Sequence, residues 1–115
     1  MLPQFSFDKL RNLFSEEQFV LLTIQQIHKD LAGLVTLKSE VLLDFELDIY
    51  PQLEDHLKEL LKELNDSELQ QFVYKVDLKE HDFLNALSAQ DDFEKLSFLI
   101  IQREAQKVYL KSQYS

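Results

Sequence analysis

The scarcity of glycine and proline is the feature that most limits which folds this chain can adopt. Its 115 residues include one glycine and two prolines. Architectures built from many strands need frequent turns, and many of those turns need residues that tolerate a positive φ. Helices joined by short polar links have no such need. We therefore predict an all-α fold, a bundle of about five helices.

Length and composition indicate a single helical domain over residues 1–115. A chain of this length buries roughly two-thirds of the surface that it exposes when unfolded, which suffices for one core but not for two. Hydrophobic residues make up 45% of the chain, which argues against disorder despite the net charge of −9. The chain has no cysteine, which excludes disulfides, thiolate catalysis and Cys-ligated zinc.

Apolar residues at helical spacing mark the first helix. Ser15 and Gln18 form a capping box, in which each side chain can bond the backbone amide of the other residue. Gly33 suits the end of this helix because it can turn left-handed. Residues 6–14 are candidates for a short helix ahead of it. The inward-facing positions recur every three or four residues and are Val20, Ile24, Ile27, Leu31 and Leu34.

Three further helix starts follow. Pro51 suits a first helical turn and precedes a stripe of leucines. Asn65 and Asp77 each begin a four-residue segment that ends in glutamate, which is typical of a helix cap. The apolar residues of these helices are Leu53, Leu57, Leu60, Leu61 and Leu64, then Leu69, Phe72, Val73 and Val76, then Phe83, Leu84 and Leu87.

The C-terminal helix is predicted to occupy the centre of the bundle. Asp91 or Asp92 caps it, and it extends to about Lys111. It is apolar on two sides, and such a helix is normally packed by neighbours on both. One side carries Phe93, Leu96 and Ile100, and the other carries Phe98, Ile101, Ala105 and Val108.

Residues 35–49 fit two different structures. Apolar residues alternate there with mostly polar ones, as in a half-buried strand, but several also fall at helical spacing. Three acidic residues within 44–48 and the lack of a turn glycine favour a helix. A short hairpin or an extended link near 35–47 stays open as the alternative.

Two properties of the whole sequence bear on where in the cell the protein is located and on what it can bind. Its first residues carry neither the basic start nor the apolar stretch of a signal peptide, and its longest apolar runs have four residues, whereas a membrane span needs about 20. The excess of acidic residues opposes binding to nucleic acids and to anionic membranes. We expect a cytoplasmic protein that binds neither.

No motif for catalysis, a metal ion or a cofactor is recognisable, so we expect a non-enzyme that uses none of them. None of the three histidines stands in a Glu-x-x-His or His-Glu-x-x-His motif. His28 could act as a phosphoacceptor on a helix, but Lys29 points about 100° away from it. The acids from Asp44 to Asp55 have EF-hand spacing, yet Ile49 replaces the required glycine.

Three segments resemble a known group of proteins. They are Thr23–Leu31, the run Phe72-Val73-Tyr74-Lys75-Val76-Asp77, and the run from Leu99 to Val108, which reads LIIQREAQKV. The chain thereby resembles small uncharacterised bacterial proteins typical of the Bacteroidetes, which carry a "YRID" segment and end in "LIIxRExQKVxxRxxxS". The resemblance covers residues 15–115, departs from the pattern at Lys75 and Lys111, and implies a cytoplasmic bacterial helical domain without a known activity.

The uneven distribution of charge suggests an interaction surface. Residues 40–68 carry ten acids and two lysines, whereas residues 95–115 carry four bases and one acid. An acidic ridge with a spacing of four residues and a basic strip with the same spacing stand on different helices. Their residues are Asp55, Glu59 and Glu63 for the acidic ridge, and Arg103, Lys107 and Lys111 for the basic strip.

These charges and the missing chemistry predict a non-enzymatic helical interaction module that binds another protein or a second copy of itself. The basic strip also has a purely structural explanation: the charged ends of its side chains reach water, while their aliphatic parts cover apolar surface. The alternatives are a phosphocarrier or small enzyme that uses a histidine, and a homodimeric structural protein.

Overall fold

The computed structural model describes residues 17–31 and 43–114, with side chains to residue 111, and in these residues it has five helices and no strand. The helices are α1 (Glu17–Leu31), α2 (Ile49–Lys62), α3 (Asp66–Val76), α4 (Glu80–Leu87) and α5 (Glu94–Tyr114). The all-α prediction is therefore confirmed. The capping box at Ser15, the candidate helix at 6–14, and Gly33 lie outside the described residues.

The segment before α2 is a turn, so the favoured helix is wrong for residues 43–48. The Asp44 side chain accepts from the backbone N–H of Glu46 at 3.0 Å, which holds the chain in a local turn. Gln52 then bonds both the N–H and the carbonyl of Asp44, at 2.8 and 2.9 Å. Residues 43–47 thus form a link that is turned rather than extended, and residues 35–42 lie outside the described part.

Helix α2 begins at a side-chain cap and buries one leucine stripe. The Asp48 carboxylate accepts from the N–H of Tyr50 at 3.4 Å, and Pro51 needs no partner in the first turn because it has no N–H. Leu53 and Leu57 are fully buried, as the spacing predicted. Leu64 lies beyond the end of the helix and is only partly buried.

The structure shows that one of the two predicted helix starts, Asn65, begins helix α3, and that the other, Asp77, ends it. The predicted cap at Asn65 is a complete capping box with Glu68, with bonds of 2.8 and 3.0 Å. Asp77 was predicted to begin the next helix, and this is wrong. Its backbone is left-handed (φ 71°) and it ends α3, while α4 begins after Lys79, whose side chain makes no cap bond. On α4, Phe83 is buried but Leu84 is 56% exposed.

Helix α5 lies at the centre, as predicted. The Asp91 carboxylate accepts from the N–H of Lys95 at 3.0 Å and so caps its start. The helix packs against all four of the others, which is why it is apolar on two sides. Its most deeply buried apolar side chains are Leu96, Ile100, Ile101 and Ala105, all at 0% exposure.

The core joins apolar residues from all five helices in one cluster. Its fully buried side chains include Val20 and Leu31 from α1, Leu53 and Leu57 from α2, Phe72 and Val76 from α3, and Ile100 from α5. None of the helices in the described residues combines the length and the hydropathy that a membrane span requires.

Candidate functional site

The predicted basic strip on α5 lies against neighbouring helices and binds them. Arg103 Nη2 donates to Asp77 Oδ2 at 2.9 Å, and Arg103 Nε donates to the backbone carbonyl of Asp77 at 3.3 Å. Lys111 Nζ donates to Gln26 Oε1 at 2.7 Å. The two ends of the strip therefore tie α5 to the end of α3 and to α1.

Lys107, at the middle of the strip, has the most partners. Its Nζ lies 2.9 Å from Asp30 Oδ2 and 3.0 Å from the backbone carbonyl of Lys75. It also lies 2.8 Å from Glu104 Oε1, one turn earlier on the same helix. The side chains of Lys107 and Asp30 are 17% and 12% exposed. Lys107 therefore joins α5 to both α1 and α3 at a site that is largely shielded from water.

The predicted acidic ridge remains open to solvent on α2. Asp55, Glu59 and Glu63 are all exposed, and the Glu59 side chain is 75% exposed. Lys62 Nζ is 3.6 Å from Glu59 Oε1 and closer, at 3.3 Å, to Asp92. No ion pair among the described residues joins the acidic ridge to the basic strip. The structure thus leaves the acidic ridge available and engages the basic strip within the chain.

A buried ionisable cluster that the sequence analysis missed lies beneath the basic strip. Glu104 is fully buried on α5, beside Asp30 and Lys107. Neither Glu104 oxygen has an aligned hydrogen-bond donor among the described residues, and Lys107 approaches only as an ion pair. Because a buried carboxylate with few donors is costly when charged, this environment favours the protonated carboxyl.

The two carboxyls of the cluster have pKa values displaced in opposite directions. Burial, followed by the neighbouring Asp30, raises the pKa of Glu104 to about 8 against the opposing effect of Lys107. Burial acts to raise the pKa of Asp30 too, but hydrogen bonds from Glu104 and Lys107 outweigh it and hold that pKa below its usual range. The pair titrates as a unit. Near neutral pH it keeps one proton on Glu104 and one negative charge, which Lys107 balances.

One member of this cluster does carry a signal in the sequence. Glu104 follows Ile101 by three residues and precedes Val108 by four, so it stands within an apolar face of α5. A lone carboxylate at such a position indicates a buried acid. Its partner Asp30 carries no signal, because it lies 77 residues from Lys107 and on another helix.

A pair of histidines, also missed, meets between α1 and α2. The Nε2 atoms of His28 and His56 are 3.3 Å apart, with ring centroids at 5.6 Å and ring planes inclined by 59°. Both rings are half-buried, whereas Lys29 and His81 are exposed. Burial lowers the pKa of both rings, and the charge of His28 lowers the pKa of His56 further. Both rings therefore favour the neutral form more than an ordinary histidine does.

The histidine contact could not be read from the sequence because its members stand on separate helices. His28 stands on α1 and His56 on α2, 28 residues apart in the sequence, and only the fold brings the two rings together. Within the described part of the chain, no group of three or more His, Cys, Asp or Glu side chains is arranged to hold a metal ion.

Comparisons with protein-family models, with curated proteins and with solved structures found no match to the chain. The resemblance to the Bacteroidetes-type proteins therefore stays a prediction. Function is accordingly inferred from the surfaces and clusters described above.

Proposed function

We propose that this chain is a non-enzymatic helical module that binds another protein through the acidic ridge. The observation that carries the proposal is the contrast between the two charged surfaces. Asp55, Glu59 and Glu63 are exposed, and among the described residues the only ion pair that they form is the loose one from Lys62 to Glu59 at 3.6 Å. The three cations of the basic strip, in contrast, are bound to Asp30, Asp77 and Gln26.

A partner with a basic surface fits this ridge better than a second copy does. The chain carries a formal net charge of −9, and its basic strip is already engaged in internal contacts. Two copies would bring like-charged surfaces together, which opposes association. A basic partner would be attracted to the ridge, and the attraction would speed encounter more than it would strengthen the final complex.

The buried cluster has a structural explanation that needs no catalytic role. A pKa near neutrality is typical of catalytic acids, and Glu104 has one. However, Glu104 is 0% exposed, so a substrate could reach it only if α1 and α5 separated. Buried ion-pair networks also displace pKa values for purely structural reasons. We assign Glu104 to the packing of α1 on α5.

The test compares two triple variants, each of which loses three negative charges, at different places on the surface. The ridge variant carries Asp55→Asn, Glu59→Gln and Glu63→Gln. The control carries Glu17→Gln, Glu46→Gln and Glu80→Gln, at exposed positions away from the ridge. Each protein is used to capture partners from an extract of its host at ~20 mM salt, and a captured protein is then purified and its affinity measured at ~20 and ~300 mM salt.

We expect a basic protein that the wild type and the control retain and that the ridge variant does not. Its affinity should fall at the higher salt concentration, because exposed charge pairs are screened. If no protein distinguishes the ridge variant from the control, the proposal is wrong. A covalent adduct formed with a phosphodonor, and lost in His28→Ala, would instead favour the phosphocarrier.

A further inference from the structure

The rings of His28 and His56 point at each other across the boundary between α1 and α2. Their Nε2 atoms are 3.3 Å apart and their ring centroids are 5.6 Å apart. The two nitrogens therefore lie almost on the line that joins the rings, which is the geometry of an N–H donor directed at the lone pair of the other ring. One ring donates its proton, and the other must accept it with an unprotonated nitrogen.

This contact accommodates only a limited number of protons. A neutral pair forms the bond when one ring carries its proton on Nε2 and the other carries it on Nδ1. A singly charged pair forms it as well, because the donor can be an imidazolium. When both rings are charged, each Nε2 carries a hydrogen, so no acceptor is left and two positive charges face each other at 3.3 Å. The closed contact is thus incompatible with the doubly protonated pair.

We propose that His28 and His56 form an acid-sensitive switch between α1 and α2, closed while at least one ring is neutral and open when both are protonated. Helix α1 packs mainly on α5 and α3, and α2 packs mainly on α5, whereas α1 and α2 contact each other less closely. The switch can therefore open without removing either helix from its main neighbour, and the response to acid is local. The inference does not depend on the proposed function, since it requires no partner.

The charged groups on the surrounding helices are turned to solvent or already bound. The exposed ones are Lys29 on α1, Asp55 and Glu59 on α2, and Lys75 on α3. On α5, which packs against both helices, Lys107 is bound to Asp30. Burial lowers the pKa of His28, and burial together with the charge of His28 lowers the pKa of His56. No carboxylate among the described residues thus offsets the cost of charging both rings.

The protonation of each ring is measured by NMR, from the Cε1–Hε1 signals of the three histidines of the full-length, untagged protein between about pH 8 and about pH 5. We expect the signals of His28 and His56 to move together and in two steps, because the pair titrates as a unit. His81 is exposed on α4 and should titrate in a single step. Independent single-step titrations of His28 and His56 would overturn the proposal.

The opening itself is measured by hydrogen exchange of the backbone amides near His28 and His56, corrected for the intrinsic effect of pH on exchange. Opening takes up a proton, so its equilibrium constant should rise about fivefold or more between about pH 6.5 and about pH 5.5. The rise should be confined to α1 and α2. Exchange that rises equally in all five helices would show general unfolding and would contradict a local switch.

Two variants isolate the contribution of the pair. The double variant His28→Gln with His56→Gln keeps a donor and an acceptor on each side of the contact but cannot be protonated in this range, so its exchange should not respond to acid in this way. His81→Gln should respond as the wild type does. Far-UV circular dichroism at neutral pH verifies that both are folded. An equal response to acid in the wild type and in the double variant would overturn the proposal.

Discussion

Replacing Glu104 by glutamine should make the protein more stable at alkaline pH. Glutamine has the shape of a protonated glutamic acid, and its amide can donate to Asp30 as the carboxyl proton does. It cannot become charged. The substitution therefore fixes the buried cluster in the form that the wild type adopts near neutral pH, with one carboxylate, on Asp30, opposite one ammonium, on Lys107.

The size of the effect follows from the linkage between protonation and folding. The pKa of Glu104 rises from the ordinary glutamate value of 4.5 to about 8 in the folded protein, so the folded state binds this proton more tightly than the unfolded state does. The stabilisation is fully present below pH 4.5 and is lost as the pH rises through 8. At about 1.4 kcal/mol for each pKa unit, the loss is on the order of 3–5 kcal/mol.

Denaturant unfolding of the wild type and of Glu104→Gln at about pH 5 and about pH 9 measures this difference. We expect the two proteins to agree within about 1 kcal/mol at the lower pH, and the variant to be more stable by several kcal/mol at the higher pH. Glu59→Gln, on the exposed ridge, controls for the loss of one negative charge. If Glu104→Gln changes stability equally at both pH values, Glu104 is charged in the folded protein and the reasoning is refuted.

Three further predictions concern the core, the basic strip and the histidine pair. Ile100→Ala, at a fully buried position, should lower the free energy of unfolding by about 2–5 kcal/mol, and Leu47→Ala, at a residue 63% exposed, should change it by less than about 0.5 kcal/mol. Lys107→Met should lower it by about 3–5 kcal/mol at neutral pH, because Asp30 loses its buried cation; an effect below about 1 kcal/mol would show that water reaches the cluster. The pKa values of His28 and His56 are lowered in the folded state, so their contribution to stability is present above pH 6.5 and is lost as the pH falls below it. A variant with both histidines changed to glutamine should lose less stability on acidification, as measured by unfolding across that range.

The parts of the fold that the sequence predicted well are those decided by neighbouring residues. The capping box at Asn65 is formed by residues three positions apart, and both of its bonds are present. The central position of α5 followed from its two apolar faces, because a helix must bury each apolar face against something. In both cases the chemistry lies within a few residues of the chain, so its pattern can be read locally.

The links between helices were predicted less well, because their left-handed backbone stands at residue types that seldom adopt it. Among the described residues, left-handed backbone occurs at Asp77, Gln90, Asp92 and Phe93. Asp and Asn tolerate this conformation, but it is uncommon for an aromatic residue. Phe93 is partly buried against the core, so tertiary packing accompanies a turn that local preference would disfavour. Asp77 illustrates the resulting error, since an aspartate can either cap a helix start or end a helix in the left-handed form.

The basic strip shows why charge periodicity alone did not reveal its role. The sequence offered one acidic ridge of matching spacing, on α2, as a counterpart of the basic strip. Folding instead supplied single acids from elsewhere, with Asp30 from α1 and Asp77 from the end of α3. Neither belongs to a periodic pattern.

This internal pairing has a consequence for the surface as a whole. Each cation of the strip that bonds within the chain, to Asp30, Asp77 or Gln26, is withdrawn from the part of the surface where it could offset the ridge on α2. The ridge on α2 keeps a local excess of negative charge that the chain's own basic strip does not neutralise, and a basic partner or dissolved cations must balance it. Salt should thus affect binding at the ridge strongly but affect the largely shielded Lys107 cluster weakly, since screening acts mainly on exposed charges.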